Sequence, residues 1–368
     1  MKKRLWIKTA SILCVTLSLA ACSADKEENR TVIKEPGKTI TIIENDNKNV
    51  FESDISVEKI DKYEGMEISD WLDEETVIVS KENNTLEKMS LLELSEYYPR
   101  SLYLYNLNTK EYKLIKERKN DFIGGAKFSP DKKHLTYYLY SFFGDPAHFV
   151  MNMDSLKEFG LHGEVIGGAH TANWSDNETV MGASFGGAYL ANVSGKISII
   201  DDLKGESVFN IEKMQDKIYY ITINTDSLEL HMLNLATKEK KNLNKENVEA
   251  VIPSPDRDQM LMIQSAGSQR ALILSDTEGN TIKTIAEGTD ISGASWSPDQ
   301  RMIAYNLKSV VNGTTSSGLY IYDMLTGKST QIAVNLSNAA ISWSPSGKKI
   351  AFTELIEMNY SSSIIYLK

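Results

Sequence analysis

The chain has 368 residues, with 50 acidic and 40 basic side chains and a formal net charge of −10. An acidic surface disfavours binding to nucleic acid and to anionic lipid headgroups. The only two cysteines, Cys14 and Cys22, are too few for a disulfide framework or for a cysteine metal site.

The first 22 residues have the order of a secretory signal. Four basic residues precede an apolar run over residues 10–17, and Leu19-Ala20-Ala21-Cys22 follows. The run is shorter than the roughly 20 apolar residues that span a bilayer, so a transmembrane helix is the weaker alternative. The last four residues resemble the bacterial lipobox, which implies cleavage after residue 21 and lipidation of Cys22. The other alternative is an ordinary cleavage site with a chance cysteine.

This interpretation places the mature protein on the extracytoplasmic side of the cell membrane, anchored by lipid. The chain without residues 1–21 has 36 basic and 50 acidic side chains, a net charge of −14. Residues 22–37 are polar and poor in large apolar groups, which is typical of a flexible tether. We therefore expect three segments: a signal peptide at 1–21, a tether at 22–37 and a folded domain at 38–368.

The folded part is built from a repeat. Ser-Pro-Asp or a degenerate equivalent follows an anchor residue and precedes an apolar, β-prone run. The seven anchors are Trp71, Phe128, Trp174, Met214, Pro253, Trp296 and Trp343. Their spacings of 57, 46, 40, 39, 43 and 47 residues match β-propeller blades. The sequence predicts an all-β fold, a β-propeller of four-stranded blades, with seven blades by anchor count and six as the alternative.

The repeat is irregular in two places, the last unit and the first spacing, and each leads to a separate prediction. The last unit supplies only three strands, so residues 38–43 or 54–60 are expected to complete it and close the fold into one domain. The long first spacing contains an insertion at 81–100, in which residues 85–97 have the pattern of a short amphipathic helix. An irregular loop is the alternative for that insertion.

Ser-Pro-Asp followed by Ile-Ala-Tyr at 297–305, and Ser-Pro-Ser followed by Ile-Ala-Phe at 344–352, resemble the TolB-type, or tryptophan-aspartate-like, propeller repeat. The resemblance covers nearly all of the mature chain and is faintest at Trp71 and Met214. Together with the lipobox, the whole chain is similar to the YqgU-like propeller lipoproteins of Bacillus-type bacteria. That family is usually described as six-bladed, which differs from the count of seven anchors.

No catalytic constellation stands out. Gly182-Ala183-Ser184-Phe185-Gly186 matches the nucleophile elbow of hydrolases, but it lies between two strands, and no helix follows it as that chemistry requires. The five histidines have no short metal-binding spacing, although His148, His162 and His170 are placed to converge on one face. We therefore predict no enzyme activity, no metal and no cofactor.

Loops are the most informative feature for function. In a four-stranded blade with strands a to d, the b–c and d–a connections share one face, and here they differ in length and chemistry. They are the connections at residues 81–100, 141–148, 160–170, 307–317 and 354–362. Variable loops on a rigid scaffold concentrate binding residues. The candidates on this face are Tyr97, Tyr98, Arg100, Phe142, Phe143, Asp145, His148, His162, His170, Phe185, Met358 and Tyr360.

The leading hypothesis is a binding or scaffolding module for a membrane or cell-envelope protein. One alternative is a lyase or hydrolase for cell-wall or extracellular carbohydrate, which requires the histidines to meet acidic groups. The other is an accessory lipoprotein that binds a small solute in the central channel. A shallow aromatic patch favours the first hypothesis, a deep pocket with His and carboxylate groups the second, and a narrow polar channel the third.

Overall fold

The computed structural model describes residues 30–35, 38–43, 55–140, 147–163, 166–184, 186–223, 227–311, 313–336, 338–356 and 359–368. The chain divides into two compact units, Met1–Phe51 and Glu52–Lys368. In the first unit, β1 (Arg30–Glu35) and β2 (Lys38–Ile43) form an antiparallel hairpin. Strand β1 lies within the expected tether at 22–37, and β2 begins at Lys38, where the folded domain is expected to begin; the division at residue 38 stays a prediction. Cys22 and the expected signal peptide lie outside the described residues.

The second unit is a succession of antiparallel sheets. Its strands are β3 (Val57–Glu64), β4 (Met66–Trp71), β5 (Thr76–Glu82), β6 (Arg100–Asn106), β7 (Tyr112–Lys116), β8 (Phe122–Phe128), β9 (His134–Tyr140), β10 (Ala147–Asn152), β11 (Glu158–Gly160), β12 (His162–Gly163), β13 (Gly167–Gly168), β14 (Asn173–Trp174), β15 (Thr179–Ser184), β16 (Gly187–Asn192), β17 (Ile197–Ile199), β18 (Val208–Met214), β19 (Lys217–Ile223), β20 (Leu228–Asn234), β21 (Lys240–Glu246), β22 (Val248–Pro253), β23 (Gln259–Ala266), β24 (Gln269–Asp276), β25 (Thr281–Gly288), β26 (Asp290–Trp296), β27 (Met302–Val311), β28 (Thr314–Asp323), β29 (Lys328–Val334), β30 (Ala340–Trp343), β31 (Lys349–Ile356) and β32 (Asn359–Leu367). Two short 3-10 helices occur at Leu92–Leu94 and Asp201–Leu203.

The strands pair in chain order in groups of four. Sheet 1 is β4–β7 and sheet 2 is β8–β11, and a single parallel bridge between Arg100 and Phe122 joins these two. Sheets 3 to 6 are β14–β17, β18–β21, β22–β25 and β26–β29. Sheet 7 consists of β30, β31 and β32 with β3 at its edge, where Ile60 pairs with Ile365. The expectation that an N-terminal strand completes the last unit is confirmed.

Successive sheets bury their faces against each other, which explains why the inner strands are apolar on both sides. A buried cluster lies between each sheet and the next, and Trp71 and Tyr105 of sheet 1 pack with Ala351 and Ile364 of sheet 7. The Trp71 indole N–H also donates to the Ser342 carbonyl of sheet 7 at 3.2 Å. The first and last sheets are therefore packed together as any other neighbouring pair is.

The anchor tryptophans share one function. The indole N–H of each donates to the carbonyl just before the anchor of the preceding sheet, as Trp343 does to Ser295 at 3.2 Å and Trp296 to Ile252 at 3.3 Å. Sheet 5 has a proline as its anchor, and the Arg257 guanidinium in its a–b turn donates to the equivalent carbonyl, that of Lys213. At each of these junctions, the carbonyl before one anchor accepts a hydrogen bond from a tryptophan or arginine side chain of the next sheet.

The Ser-Pro-Asp repeat closes the a–b turns through its buried serine. The Ser297 hydroxyl donates to Asp299 Oδ1 at 2.6 Å and accepts the Met302 N–H at 2.8 Å. Gln300 takes φ +60° there, which allows the turn to close in three residues. The same bonds occur around Ser129 and Ser254. The turn is tight because one hydroxyl satisfies groups on both sides of it.

Two expectations about the connections are wrong. The amphipathic helix at 85–97 is absent, and only Leu92–Leu94 is helical, because Asn83 and the Tyr97 carbonyl accept backbone N–H groups across the segment. The expected loops at 307–317 and 354–362 instead extend β27–β28 and β31–β32 as long hairpins. Cross-strand pairing there continues beyond the sheet core, so these segments project as strands.

Candidate functional site

Two cavities share Tyr138 in their linings, and the first is at the end of the sheets where the b–c and d–a connections are, here called the b–c end. The first lies among sheets 1, 2 and 7 and has a volume of about 30 Å³. Its walls are mostly aromatic and aliphatic, with one cation: Arg100, Phe122, Ile123, Gly124, Tyr138, Tyr140, Leu355 and Tyr360. The long hairpin β31–β32 contributes two of these residues, which places the end of the last sheet beside the start of the first two.

Arg100 is the buried cation of the first cavity, only 7% exposed. Its Nη2 donates to the Ser80 carbonyl at 2.6 Å and its Nε to the Ser80 hydroxyl at 3.2 Å. The guanidinium carbon lies 4.3 Å from the centroid of the Tyr360 ring, within the range of a cation–π interaction. Burial lowers the Arg100 pKa, while the nearby Glu67 carboxyl opposes that shift. Arg100 is thus held in one orientation at the cavity wall.

Glu67 provides the matching carboxyl group on β4. Its side chain is 9% exposed, Oε1 accepts the Gly125 N–H at 3.2 Å, and Oε2 accepts no hydrogen bond from the described residues. Burial raises the Glu67 pKa, and Arg100, the Gly125 N–H and Lys127 only partly counteract it. A buried carboxyl oxygen without a donor is unusual in a folded protein. The carboxyl group of Glu67, behind the cavity, therefore has one oxygen that could still accept a hydrogen bond.

Two adjacent glycines in β8 make room for this arrangement. A Cβ on Gly124 would lie 2.7 Å from Glu67 Oε2, and a Cβ on Gly125 would lie 1.9 Å from Cε1 of Tyr138. Gly125 also has φ +57°, and the register of β8 with β9 shifts there. The Tyr138 ring therefore rests directly on the glycine backbone. It forms a wall of both cavities.

The second cavity lies between the first strands of sheets 2 and 3 and has a volume of about 230 Å³. Polar side chains dominate its lining, which comprises Gly125, Lys127, Thr136, Tyr137, Tyr138, His148, His170, Thr171, Ala172 and Asn173. Lys127 Nζ donates to the Ser69 carbonyl at 2.6 Å. His148 Nδ1 lies 3.1 Å from the Ala169 carbonyl, which only accepts, so the hydrogen is on Nδ1.

An acid lies behind this second cavity. Asn173 Nδ2 donates to Glu212 Oε1 at 2.8 Å. Burial raises the Glu212 pKa to about 8, although Arg257 and the Asn173 bond act in the opposite direction. The carboxyl is therefore mostly protonated at neutral pH. Asn173 both lines the cavity and contacts this neutral acid.

The structure brings together some of the twelve sequence-predicted residues. Arg100 and Tyr360 contact each other at the first cavity, and His148 and His170 line the second. Tyr97 packs on a small cluster with Phe122 beside the first cavity, and a lysine lies 5.7 Å from the Tyr98 ring.

His162 is exposed and makes an edge contact with Phe149, with 6.5 Å between ring centroids, so it does not join the other two histidines. The remaining predicted residues, Phe142, Phe143, Asp145, Phe185 and Met358, lie outside the described residues. No group of three or more His, Cys, Asp or Glu side chains suited to a metal ion occurs in the described part of the chain.

Sequence reasoning missed Glu67, Lys127, Tyr138, Asn173 and Glu212. All are in strands, whereas the search concentrated on loops. Two signals in the sequence point to them. Gly124-Gly125 stands just before the Phe128 anchor, inside what the structure shows as strand β8, and a glycine inside a strand marks a close approach of another group. Glu67 and Glu212 are carboxyl groups in strand a of their sheets.

No protein-family model matches the chain, and no curated protein matches it in sequence. Solved structures do match. The oligogalacturonate lyase of Vibrio parahaemolyticus has a TM-score of 0.61 at 13% identity, covering 92% of this chain and 96% of that one. The Cps50 (Swd1) β-propeller domain of Myceliophteria thermophila has a TM-score of 0.54 at 9% identity, covering 84% and 99%. TolB of Acinetobacter baumannii has a TM-score of 0.45 at 14% identity, covering 73% and 61%.

These likenesses establish the fold. The expected all-β architecture and the β-propeller are confirmed. At such identities they do not carry an activity over to this chain. Among the described residues, no helix is long and apolar enough to cross a membrane.

Proposed function

We propose that this protein is a lipid-anchored, extracytoplasmic propeller of seven blades, similar to the YqgU-like lipoproteins, that binds a membrane or cell-envelope partner through its b–c end and performs no catalysis. The seven groups of four strands support the blade number. The signal-like start and Cys22 support the anchor. The partner-binding role rests on the surface of the b–c end.

The distribution of exposed apolar side chains carries the proposal. Among the described residues, eight of the fourteen large exposed hydrophobic side chains are at the b–c end, and four, Tyr112, Leu156, Ile282 and Leu325, are in or directly after the c–d turns of the opposite end. The eight are Leu92, Tyr140, Phe209, Ile223, Val310, Val334, Leu355 and Ile356. An apolar surface rimmed by polar groups is the usual sign of a protein interface.

The first cavity adjoins two of these exposed side chains. Tyr140 and Leu355 are 46% and 51% exposed and line the cavity with Tyr138, Tyr360 and Arg100. Tyrosine and arginine are the residue types that most often dominate binding energy at protein interfaces. About 30 Å³ of space admits a small group rather than a whole ligand. This size suits an anchoring side chain of a protein partner.

The proposal is tested by crosslinking the tagged protein in intact cells and identifying the proteins that co-purify. The Leu355→Ser/Ile356→Ser variant removes apolar surface beside the first cavity. Its matched control, Leu156→Ser/Leu325→Ser, removes similar surface at the opposite end. We expect the partner to be lost about tenfold or more in the first variant and retained in the control. Equal capture by both variants would exclude the b–c end as the interface.

A third variant tests the anchor in the same cells. Cys22→Ala removes the only thiol available for lipidation after signal cleavage, so the protein is expected in the soluble fraction after cell fractionation. Membrane association that persists in this variant contradicts the lipoprotein assignment. Partner capture measured in both fractions separates a contact that needs the membrane from one that does not.

An enzyme is the second candidate, because His148 and His170 share the second cavity with Glu212 behind it. A carboxyl with a pKa of about 8 can transfer a proton near neutral pH. One similar structure is an oligogalacturonate lyase. Incubation of the protein with cell-wall and acidic oligosaccharides, followed by chromatography, tests this function. Cleavage that is lost in His170→Gln supports it, and intact oligosaccharides throughout favour the binding module.

A further inference from the structure

We propose that the second cavity is a binding site for a small solute carrying a carboxylate or another oxyanion, held by Lys127 together with His148, His170 and Asn173. This inference goes beyond the proposed contact with a protein partner, because it concerns a different cavity and a different class of ligand. Its walls come from β8, β9 and β10 of sheet 2 and from the segment that leads into β14 of sheet 3.

The cavity lining is rich in hydrogen-bond donors. Lys127 lines the cavity and uses one of its three ammonium hydrogens on the Ser69 carbonyl at 2.6 Å. The imidazoles of His148 and His170, the Thr171 hydroxyl and the Asn173 amide complete the polar wall. A charged donor beside several neutral ones is the usual composition of a site that binds an oxyanion by charge-assisted hydrogen bonds.

No carboxylate among the described residues lines the second cavity, although the chain as a whole is acidic. Three carboxyl groups accept hydrogen bonds from residues of the lining, and one of them, Glu158, accepts from the Tyr137 hydroxyl and is paired with Lys116 and Arg118. Glu67 contacts the Gly125 N–H, and Glu212 accepts from Asn173. Burial raises the pKa of both groups, and that of Glu212 to about 8. The neutral form of Glu212 puts no charge behind the Asn173 side of the cavity near neutral pH, where Lys127 is the lysine of the lining.

Three basic side chains near Glu67 and Glu212 also affect their pKa values. Arg100 and Lys127 favour ionisation of Glu67, and Arg257 favours ionisation of Glu212. Arg257 is committed to the Lys213 and Trp174 carbonyls, and Arg100 to Ser80. Lys127 therefore remains the cation whose position in the cavity lining lets it contact a solute.

The cavity volume limits the ligand. About 230 Å³ is below the volume of roughly 300–1,000 Å³ that is typical of sites for drug-sized ligands. A solute of a few heavy atoms, or the acidic end of a longer one, fits this space. The Tyr138 ring separates this space from the aromatic cavity, so an apolar group attached to the acid would meet an aromatic wall.

Isothermal titration calorimetry of the purified full-length protein tests the site, with sodium sulfate and sodium acetate as probes at constant ionic strength. Sulfate represents tetrahedral oxyanions and acetate represents carboxylates. Both stay ionised from near pH 6 to near pH 9, so their own charge does not change in the experiment. Binding of either probe, or of both, supports the site and distinguishes its preferred geometry. Absence of binding by both overturns the proposal.

Lys127→Met is expected to weaken probe binding about tenfold or more, because it removes a charged donor. Lys133→Met is the matched control, since it removes an exposed lysine from the a–b turn of the same sheet and should bind as the unmodified protein does. Lys127→Arg keeps the charge and should retain binding within a few fold. Equal affinity in Lys127→Met and Lys133→Met would assign the heat to nonspecific association and overturn the site.

The pH dependence gives an independent readout. Ionisation of Glu212 places a negative charge one hydrogen bond behind the cavity, so affinity should fall between about pH 7 and pH 9. Glu212→Gln should reduce this fall, because glutamine keeps the neutral form. A fall that is unchanged in this variant contradicts the role of Glu212. Partner capture by Lys127→Met is expected to be normal, so failure of the solute site and failure of the protein interface are distinguishable.

Discussion

The two ends of the sheets are built on opposite principles. At the a–b end, the same serine closes turn after turn, and Ser129, Ser254 and Ser297 are each buried to 1% exposure or less. At the b–c end, the described connections range from Gly267-Ser268 between β23 and β24 to residues 83–99 between β5 and β6, and one buried arginine and three tyrosines line a cavity that has the buried carboxyl of Glu67 behind it. The Ser-Pro-Asp turns of the first end pair their serine hydroxyls locally, whereas at the second end Glu67 Oε2 has no donor among the described residues.

This difference separates stability from function. A repeated turn in which every polar group is paired gains nothing from a ligand, since no group is left to satisfy. A buried carboxyl and a fixed guanidinium beside a cavity are costly to maintain and are typical of binding sites. Substitutions at the a–b end should therefore change folding alone, and substitutions in the walls of the two cavities should change both folding and binding.

The largest expected effect follows from Gly125→Ala. The new Cβ would clash with Tyr138 at 1.9 Å, and the residue has φ +57°, so the ring that separates the cavities must move. We expect a loss of roughly 3 kcal/mol in the free energy of unfolding, measured by urea denaturation, together with loss of probe binding.

Gly267→Ala is the matched control for that substitution. Gly267 has φ +63° and nothing within 4 Å of an added Cβ, so only the backbone strain of about 1 kcal/mol is expected, without any change in binding. Equal destabilisation by the two substitutions would show that the Tyr138 ring can move away from a Cβ at residue 125 at no cost in stability. The ring would then not be a fixed wall between the cavities.

A smaller effect is expected from Ser297→Ala at the a–b end. The substitution removes a hydrogen bond to Asp299 and leaves the Met302 N–H without its acceptor, which costs about 1–3 kcal/mol. Ser344→Ala in sheet 7 should cost less, because Ser344 contacts the hydroxyl of Ser346 in place of a carboxylate. Urea denaturation of both variants gives the comparison, and any change in probe binding would contradict the separation of the two ends.

The smallest effect is expected from Glu212→Gln near pH 7, because glutamine resembles the protonated carboxyl. The folded state keeps this proton up to about pH 8, whereas the unfolded chain releases it near 4.5, so stability falls as the pH rises through that window. From pH 7 to pH 9 the unmodified protein should lose roughly 1 kcal/mol through this group, and the variant should lose less. Thermal unfolding at the two pH values measures this difference, and equal losses would refute the raised pKa.

The candidate site was only partly predictable. Arg100 and Tyr360 were found from the sequence because both adjoin variable connections, and loop chemistry is visible in a single sequence. Glu67 and Glu212 were not found, since a carboxyl in a predicted strand gives no indication of what packs behind it. His148 and His170 were expected to converge with His162, but β12 places His162 at the surface.

By itself, the sequence determined the all-β class and the four-stranded unit, because turn chemistry and apolar runs are local and repeat along the chain. It also indicated that an N-terminal strand completes the last sheet, since the final unit is one strand short. Only the tertiary structure decided the site. Glu67, Arg100, Tyr138 and Tyr360 come from sheets 1, 2 and 7, and they meet only because the first and last sheets pack together. Contacts between residues nearly 300 positions apart depend on that packing, and local pattern does not encode it.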